Sequence, residues 1–348
     1  MATTRHRLVK KMPAKLVETA REAGFRMPAE WEPHTRCWMA WPCFEALWGE
    51  NLAATQRGFA EVARTIARFE PVTMLAPEEA TGAAAELCGD RVEILACELD
   101  DSWMRDIGPN FVKRGDELAA SIFHFNAWGG KYPNFRKDAA VGHRVAESLE
   151  IRAFSSPITM EGGGINVDGE GTILTTEQCL LNENRNPGIT KAEAERHLCE
   201  ALGGEKVIWL AGDPLDDETD GHVDGLACFV EPGVVMVEHD PDPRSERHIM
   251  LQKNLDALES ATDAAGRRLE IHLIGEAAEA DAQGDRFCSS YINFYIANGG
   301  VVIPSYGIPA DDRARDVIQA CFPDREVAQV DVNACLLYTS PSPRDIHH

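Results

Sequence analysis

Two stretches of this chain share one layout. Ile94-Leu95, Leu99-Asp100-Asp101, a late Asp106 and Phe111-Val112 are matched by Ile208-Trp209, Leu215-Asp216-Asp217, Asp224 and Phe229-Val230. The match needs a slip of two residues before the late aspartate, and it sets a period of about 116 residues, Asp216 against Asp100. Buried strand, acid-rich loop, buried strand, occurring twice, constrains the chain to repeated units rather than one irregular layer.

The rest of the pattern agrees. Residues 35–42 read as a strand ended by proline, and residues 51–68 as a helix with apolar positions Leu52, Phe59, Val62 and Ile66. Strands are expected at 72–76 and 92–95, with a helix over 78–88 between them. Residues 158–167 and 171–175 read as a strand pair turned by Asp168-Gly169. Helices are expected over 189–202 and 311–321, with another held within 242–264, and the first ends at Gly203-Gly204. A strand at 269–274 and a strand pair at 290–296 and 301–304, turned by Asn298-Gly299-Gly300, complete the set. Strand and helix units without a Pro/Ser-rich linker imply a single α/β domain of radial or pseudo-symmetric plan. It spans 27–334, after a basic, helix-prone lead-in at 1–26. With 348 residues and 44% hydrophobic content there is ample material for one large core.

Chemistry concentrates in three places. Residues 215–224 hold five carboxylates and His222 at a strand end. Alternation along His222-Val223-Asp224 would turn the imidazole and a carboxylate to one side of an extended segment. Asp216, Asp217 and Asp220 read equally well as turn or cap residues. A metal pair is a rival reading, although neither HExxH nor CxxC accompanies it. The loop 99–112, with Asp106, is the second place. Glu161 before Gly162-Gly163-Gly164 is the third: either a carboxylate where the backbone approaches a ligand, or an edge-strand glutamate before a glycine bulge.

A net charge of −23 argues against nucleic acid, whose phosphates require a basic face, and favours a cationic ligand. Ten cysteines without CxxC pairs, and an N-terminus without a signal-peptide core, fit reduced thiols in the cytoplasm. No run has the roughly 18 apolar residues of a membrane span.

Trp103-x-Arg105-Asp106-x-Gly108-Pro109, Glu161-Gly162-Gly163-Gly164-Ile165-Asn166 and Asp220-Gly221-His222-x-Asp224 form an ordered set of motifs. Met27-Pro28-Ala29-Glu30-Trp31 and Asn182-x-Asn184-Arg185-Asn186-Pro187 extend it. The set resembles the agmatine deiminases, kin of the Porphyromonas-type peptidylarginine deiminases, over residues 27 to about 333. The resemblance implies the five-bladed α/β propeller (pentein) of guanidino-group-modifying enzymes, with pseudo-fivefold strand/helix repeats, acting as a homo-oligomer without metal or cofactor. The implied reaction is hydrolysis of agmatine to N-carbamoylputrescine and ammonia. By the match, Asp106 and Asp224 grip the guanidinium and His222 acts as general acid and then base. Glu161 orients the imidazole, and Trp103 walls the pocket. Among the nearby acids, Glu218 and Asp220 are expected to bind substrate, Glu218 with the neighbouring Asp216 and Asp217 as candidates for its distal ammonium.

The family's nucleophile is a cysteine behind a Gly-Gly-Gly-Gly-Ile-His-Cys motif near the C-terminus, which this sequence does not contain. Cys335 lies about ten residues too early for that part and lacks the glycines that would let backbone crowd a substrate. After Ala334 the chain departs from the family, and its Ser-Pro-Ser-Pro-Arg run over 340–344 reads as a disordered, non-homologous tail on a truncated domain. Two alternatives therefore stand beside agmatine hydrolysis: a deiminase of free or peptidyl arginine, and a guanidinium-binding protein without turnover.

Overall fold

The computed structural model describes residues 18–277, 290–333 and 342–345. The first sheet begins with three parallel strands, β1 (Arg36–Ala40), β2 (Val72–Ala76) and β3 (Val92–Ala96). The next repeats a different unit: β4 (Asn110–Arg114) and β5 (Glu117–His124) form a hairpin, and β6 (Arg152–Thr159) returns parallel to β5 after the helix Val141–Ser148. The unit recurs in β7 (Ile165–Val167), β8 (Thr172–Thr176) and β9 (Lys206–Leu210), and in β10 (Ala227–Glu231), β11 (Val234–Glu238) and β12 (Glu270–Ile274). It occurs again in β13 (Tyr295–Ala297), β14 (Gly300–Ser305) and β15 (Glu326–Asp331). Finally β16 (Ser342–Asp345) pairs antiparallel with β1, so the first sheet holds the same antiparallel-then-parallel order, with β3 added at its edge. The result is an α/β fold of five separate sheets among the described residues.

Each parallel return needs a crossover, and a helix supplies it: Leu52–Ile66, Thr81–Cys88, Val141–Ser148, Lys191–Leu202, Glu246–Ser260 and Pro309–Cys321 in turn. The inner strands are buried on both faces. β2 is buried throughout and β14 in five of its six residues, which explains their near-continuous apolar runs. The helix Leu52–Ile66 lays Phe59, Val62, Ala63 and Ile66 on a core shared with β2 and β14. Lys191–Leu202 is bounded by a capping box, Thr190 with Glu193, and ends on Gly203 in the left-handed region (φ 67°).

The sequence repeat has a structural meaning. Both copies are links that leave the last strand of one sheet, β3 or β9, and enter the first strand of the next, β4 or β10. Three consecutive links, 97–109, 160–164 and 211–226, each contain a single short turn of helix: Met104–Ile107, Gly162–Gly164 and Val223–Gly225.

Several expectations need correction. Residues 158–167 are not one strand: β6 ends at Thr159, the glycines turn, and β7 starts at Ile165 in another sheet. The helix expected within 242–264 is present as Glu246–Ser260, its start capped by the Ser245 hydroxyl. The final strand pair is shorter than expected, since residues 290–294 lie outside β13. Of the lead-in, residues 1–17 lie outside the described residues, but Ala20, Ala23 and Phe25 are buried, so packing begins before Met27. Of the tail expected to be disordered, Ser342–Asp345 stands in a sheet, where backbone pairing at an edge requires no apolar side chain and tolerates proline. Cys335 lies outside the described residues. Among the described residues no helix is long and apolar enough to cross a membrane.

Candidate active site

The three inter-sheet links converge on Gly163. A Cβ on this residue would stand 2.6 Å from His222 Nδ1, 2.7 Å from Asp224 Oδ2 and 2.8 Å from Asp106 Oδ1, so the three groups close around a position that only glycine can fill. The flanking glycines have other reasons. A Cβ at Gly162 would strike the Arg105 carbonyl at 2.0 Å, and one at Gly164 would strike Met160 at 2.4 Å.

Asp106 comes from the turn Met104–Ile107 and is buried. Its Oδ1 accepts the Gly163 amide at 2.9 Å and lies 3.9 Å from His222 Nδ1, while its Oδ2 accepts the Trp128 indole N–H at 3.0 Å. Burial raises its pKa, with the Glu161 charge adding to the rise and His222, the Gly163 amide and the Trp128 indole opposing it. Asp224, in the turn Val223–Gly225, is raised to about 7, first by burial and then by Asp106, against the charges of His222 and Arg105. Its Oδ2 is buried without a hydrogen-bond partner among the described residues. Two buried carboxylates with raised pKa, one with an unpartnered oxygen, mark a candidate site for a cationic group.

His222 closes the third side. Its Nδ1 faces Gly163 with no hydrogen-bond partner among the described residues, and its Nε2 lies 3.3 Å from Glu161 Oε2. Burial works against the imidazolium, but Asp106 and Glu161 carry its pKa well above the ordinary value. Glu161 is fully buried. Burial alone would raise its pKa, yet the hydrogen bond with His222 and the Arg185 charge outweigh it and hold Glu161 below the ordinary value. Arg185 Nε donates to Glu161 Oε1 at 2.9 Å, fixing the carboxylate that fixes the imidazole.

The remaining expected residues divide. Trp103 is buried against Trp48 and Phe59 and donates its indole N–H to Asp101 at 2.6 Å. Asp220 is engaged by Lys131 Nζ at 2.8 Å, by Asn184 Nδ2 at 3.0 Å and by Arg185, so its charge is already answered by two cations. The structure therefore assigns it to anchoring Arg185. Asp216 accepts the amides of Glu218, Thr219 and Gly221, a turn role. Glu218 hydrogen-bonds the Tyr132 hydroxyl. His222 and Asp224 both meet Gly163, but across a tight turn rather than by strand alternation.

Sequence reasoning missed Arg185 as a functional residue, and also Trp128 and Cys179. The Cys179 thiol lies 3.7 Å from Glu161 Oε2, with its pKa raised by burial. Together with Glu161 and His222 it is a three-donor group of the kind that holds metals. The group does not fit one: Glu161 is bound to a guanidinium on its other oxygen, and His222 holds a proton where a metal needs a lone pair. Nor is Cys179 suited as a nucleophile, because burial raises its pKa and disfavours the thiolate.

Asp106, Asp224 and His222, from three different links, are thus gathered around Gly163, and comparison with known proteins says which family shares this chain's sequence. The Porphyromonas-type peptidyl-arginine deiminase family matches residues 26–339. The chain belongs to this family. Among its relatives, the agmatine deiminase of Stutzerimonas stutzeri is 39% identical over 348 residues, 92% of this chain and 94% of that protein. The agmatine deiminase of Pseudomonas aeruginosa is 40% identical, with the same coverage of both. Among solved structures, the agmatine deiminase of Enterococcus faecalis superposes with a TM-score of 0.88 at 32% identity, covering 92% of this chain and 94% of that one. Membership accounts for the order of the motifs, each of which falls on an inter-sheet link or against one.

Proposed function

We propose that the chain is an agmatine deiminase, a hydrolase of C–N bonds that converts agmatine to N-carbamoylputrescine and ammonia. The observation that carries this is the placement of Asp106, Asp224 and His222 within one side chain's reach of Gly163. A guanidinium is planar, permanently charged and a poor electrophile, so it must be held by paired carboxylates before its carbon can be attacked. Asp106 and Asp224 supply that grip. By the resemblance, a cysteine thiolate adds to the guanidinium carbon, and His222 gives its proton to the ammonia released as the C–N bond breaks. The ring then takes a proton from the water that hydrolyses the covalent amidine and frees the thiolate, with Glu161 and Arg185 keeping the ring in place. Lys131 is engaged by Asp220, and Glu218, beside Tyr132, is the acid expected to meet a distal ammonium. The five sheets are read as blades of one propeller, the ten thiols as a cytoplasmic feature, and the assembly as a homo-oligomer. Light scattering on the eluting protein checks the last.

The test is direct incubation with agmatine, with N-carbamoylputrescine and ammonia as expected products, undiminished by a strong chelator. A second reading has its own observation. Among the described residues the cysteine beside the site, Cys179, is buried against Glu161 with its thiol pKa raised. Agmatine bound without conversion would make the chain a guanidinium-binding protein. Arginine preferred over agmatine would move it to the sister activity.

A further inference from the structure

Asp106 is positioned by more than its own turn. Trp128 is buried, and its indole Nε1 donates to Asp106 Oδ2 at 3.0 Å, which leaves Oδ1 turned toward Gly163. The indole is clamped edge-on by Phe125, centroids 5.1 Å apart, and by Tyr132 at 5.7 Å. The backbone there is held against its own preference. Ala127 (φ 60°) and Trp128 (φ 52°) both lie in the left-handed region, which a bulky side chain rarely adopts.

What enforces that conformation is a strap over 126–132 tied down at both ends. Asn126 caps the Gly129 amide and donates to the Asn184 carbonyl at 2.9 Å. Lys131 Nζ reaches the Glu218 carbonyl at 2.8 Å and Asp220 at 2.8 Å, and Tyr132 hydrogen-bonds Glu218. Gly129 fits so closely that a Cβ would meet Asn184 at 2.4 Å and Arg185 Nη1 at 2.8 Å.

We propose that Trp128 is a substrate-positioning residue: its indole N–H, held by the strap, fixes the Asp106 carboxylate that grips the guanidinium. The inference rests on the reading of Asp106 as a guanidinium-binding carboxylate. An N–H donated to the ionised carboxylate favours that form, so its removal leaves Asp106 easier to protonate.

The experiment is calorimetric titration of the full-length chain with agmatine over a range of pH, for the wild type, Trp128→Phe and Tyr132→Phe. Trp128→Phe keeps a ring between Phe125 and Tyr132 but has no N–H. Agmatine binding is expected to weaken about ten-fold or more, the worth of a hydrogen bond to a charged group, and its acid limb to move to higher pH. Tyr132→Phe loosens the strap without touching Asp106, and its acid limb is expected to stay where the wild type's lies. Unchanged binding in Trp128→Phe, or equal losses in both variants with limbs unmoved, overturns the proposal alone. A wild type that binds no agmatine overturns the functional reading with it. In tryptophan-labelled wild type, the Trp128 indole N–H resonance is expected to titrate with the same midpoint as agmatine binding. An indole resonance indifferent to pH overturns the proposal even where the variant does not fold.

Discussion

Gly163 matters for the atom it lacks. Its φ is not in the left-handed region, so alanine strains no backbone, but the new methyl would press on Asp106, Asp224 and His222. Gly163→Ala is therefore expected to fold and to lose agmatine affinity by about a hundred-fold or more, the scale of losing a charge-assisted grip. Asp224→Asn separates binding from stability. The folded Asp224 holds its proton up to about pH 7, whereas the unfolded chain releases it near 3.8. Between those values the folded state binds more protons, so rising pH lowers stability, and the deficit persists above pH 7. Replacement by asparagine is expected to stabilise the ligand-free protein at pH 8 by up to roughly 4 kcal/mol, with the gain vanishing below about pH 4. It is also expected to abolish agmatine binding; denaturant unfolding at the two pH values and calorimetry check both halves. In the wild type, affinity for agmatine is expected to fall as pH drops below about 7, where a proton competes with the guanidinium for the neighbouring carboxylates of Asp224 and Asp106. The residues whose identity alone signals acid–base chemistry, His222, Glu161, Asp106 and Asp224, were legible in the sequence. Arg185 and Trp128 were not, because their partners Glu161 and Asp106 lie 24 and 22 residues away and nothing local marks the contact.

At the scale of elements, helices were read with small errors and links with large ones. Lys191–Leu202 carries its boundaries in its own residues, Thr190 and Glu193 at one end and Gly203 at the other. Thr190→Ala is expected to cost about 1 kcal/mol of stability without changing agmatine affinity. Gly203→Ala is expected to cost more than that, since its φ of 67° disfavours a side chain and a Cβ would meet the Phe25 carbonyl at 2.1 Å. Denaturant midpoints for the two variants test the order. Residues 158–167 failed as a reading because apolar residues on both sides of Gly162–Gly164 give one continuous strand pattern. Only the sheet partners, β5 before the glycines and β8 after them, show that the chain changes sheets there. The glycines that broke the pattern are also those that make the site, so the hardest stretch to read locally is the one with most to do.

For the molecule as a whole, the internal repeat was the most informative feature. It places Asp106 and Asp224 at equivalent points of two inter-sheet links, which is why residues 118 apart in sequence (224 − 106) face one another across Gly163. The fourfold recurrence of hairpin, helix and parallel return could not be counted from the sequence, since the short strands β7 and β13 are only three residues long. Calorimetric titration of the full-length chain with agmatine and with arginine places the whole reading at risk in one experiment. Agmatine is expected to bind, with arginine at least about ten-fold weaker and with binding lost in Asp224→Asn. Tighter binding of arginine would refute the choice of substrate, and agmatine binding undiminished in Asp224→Asn would refute a guanidinium held between Asp106 and Asp224.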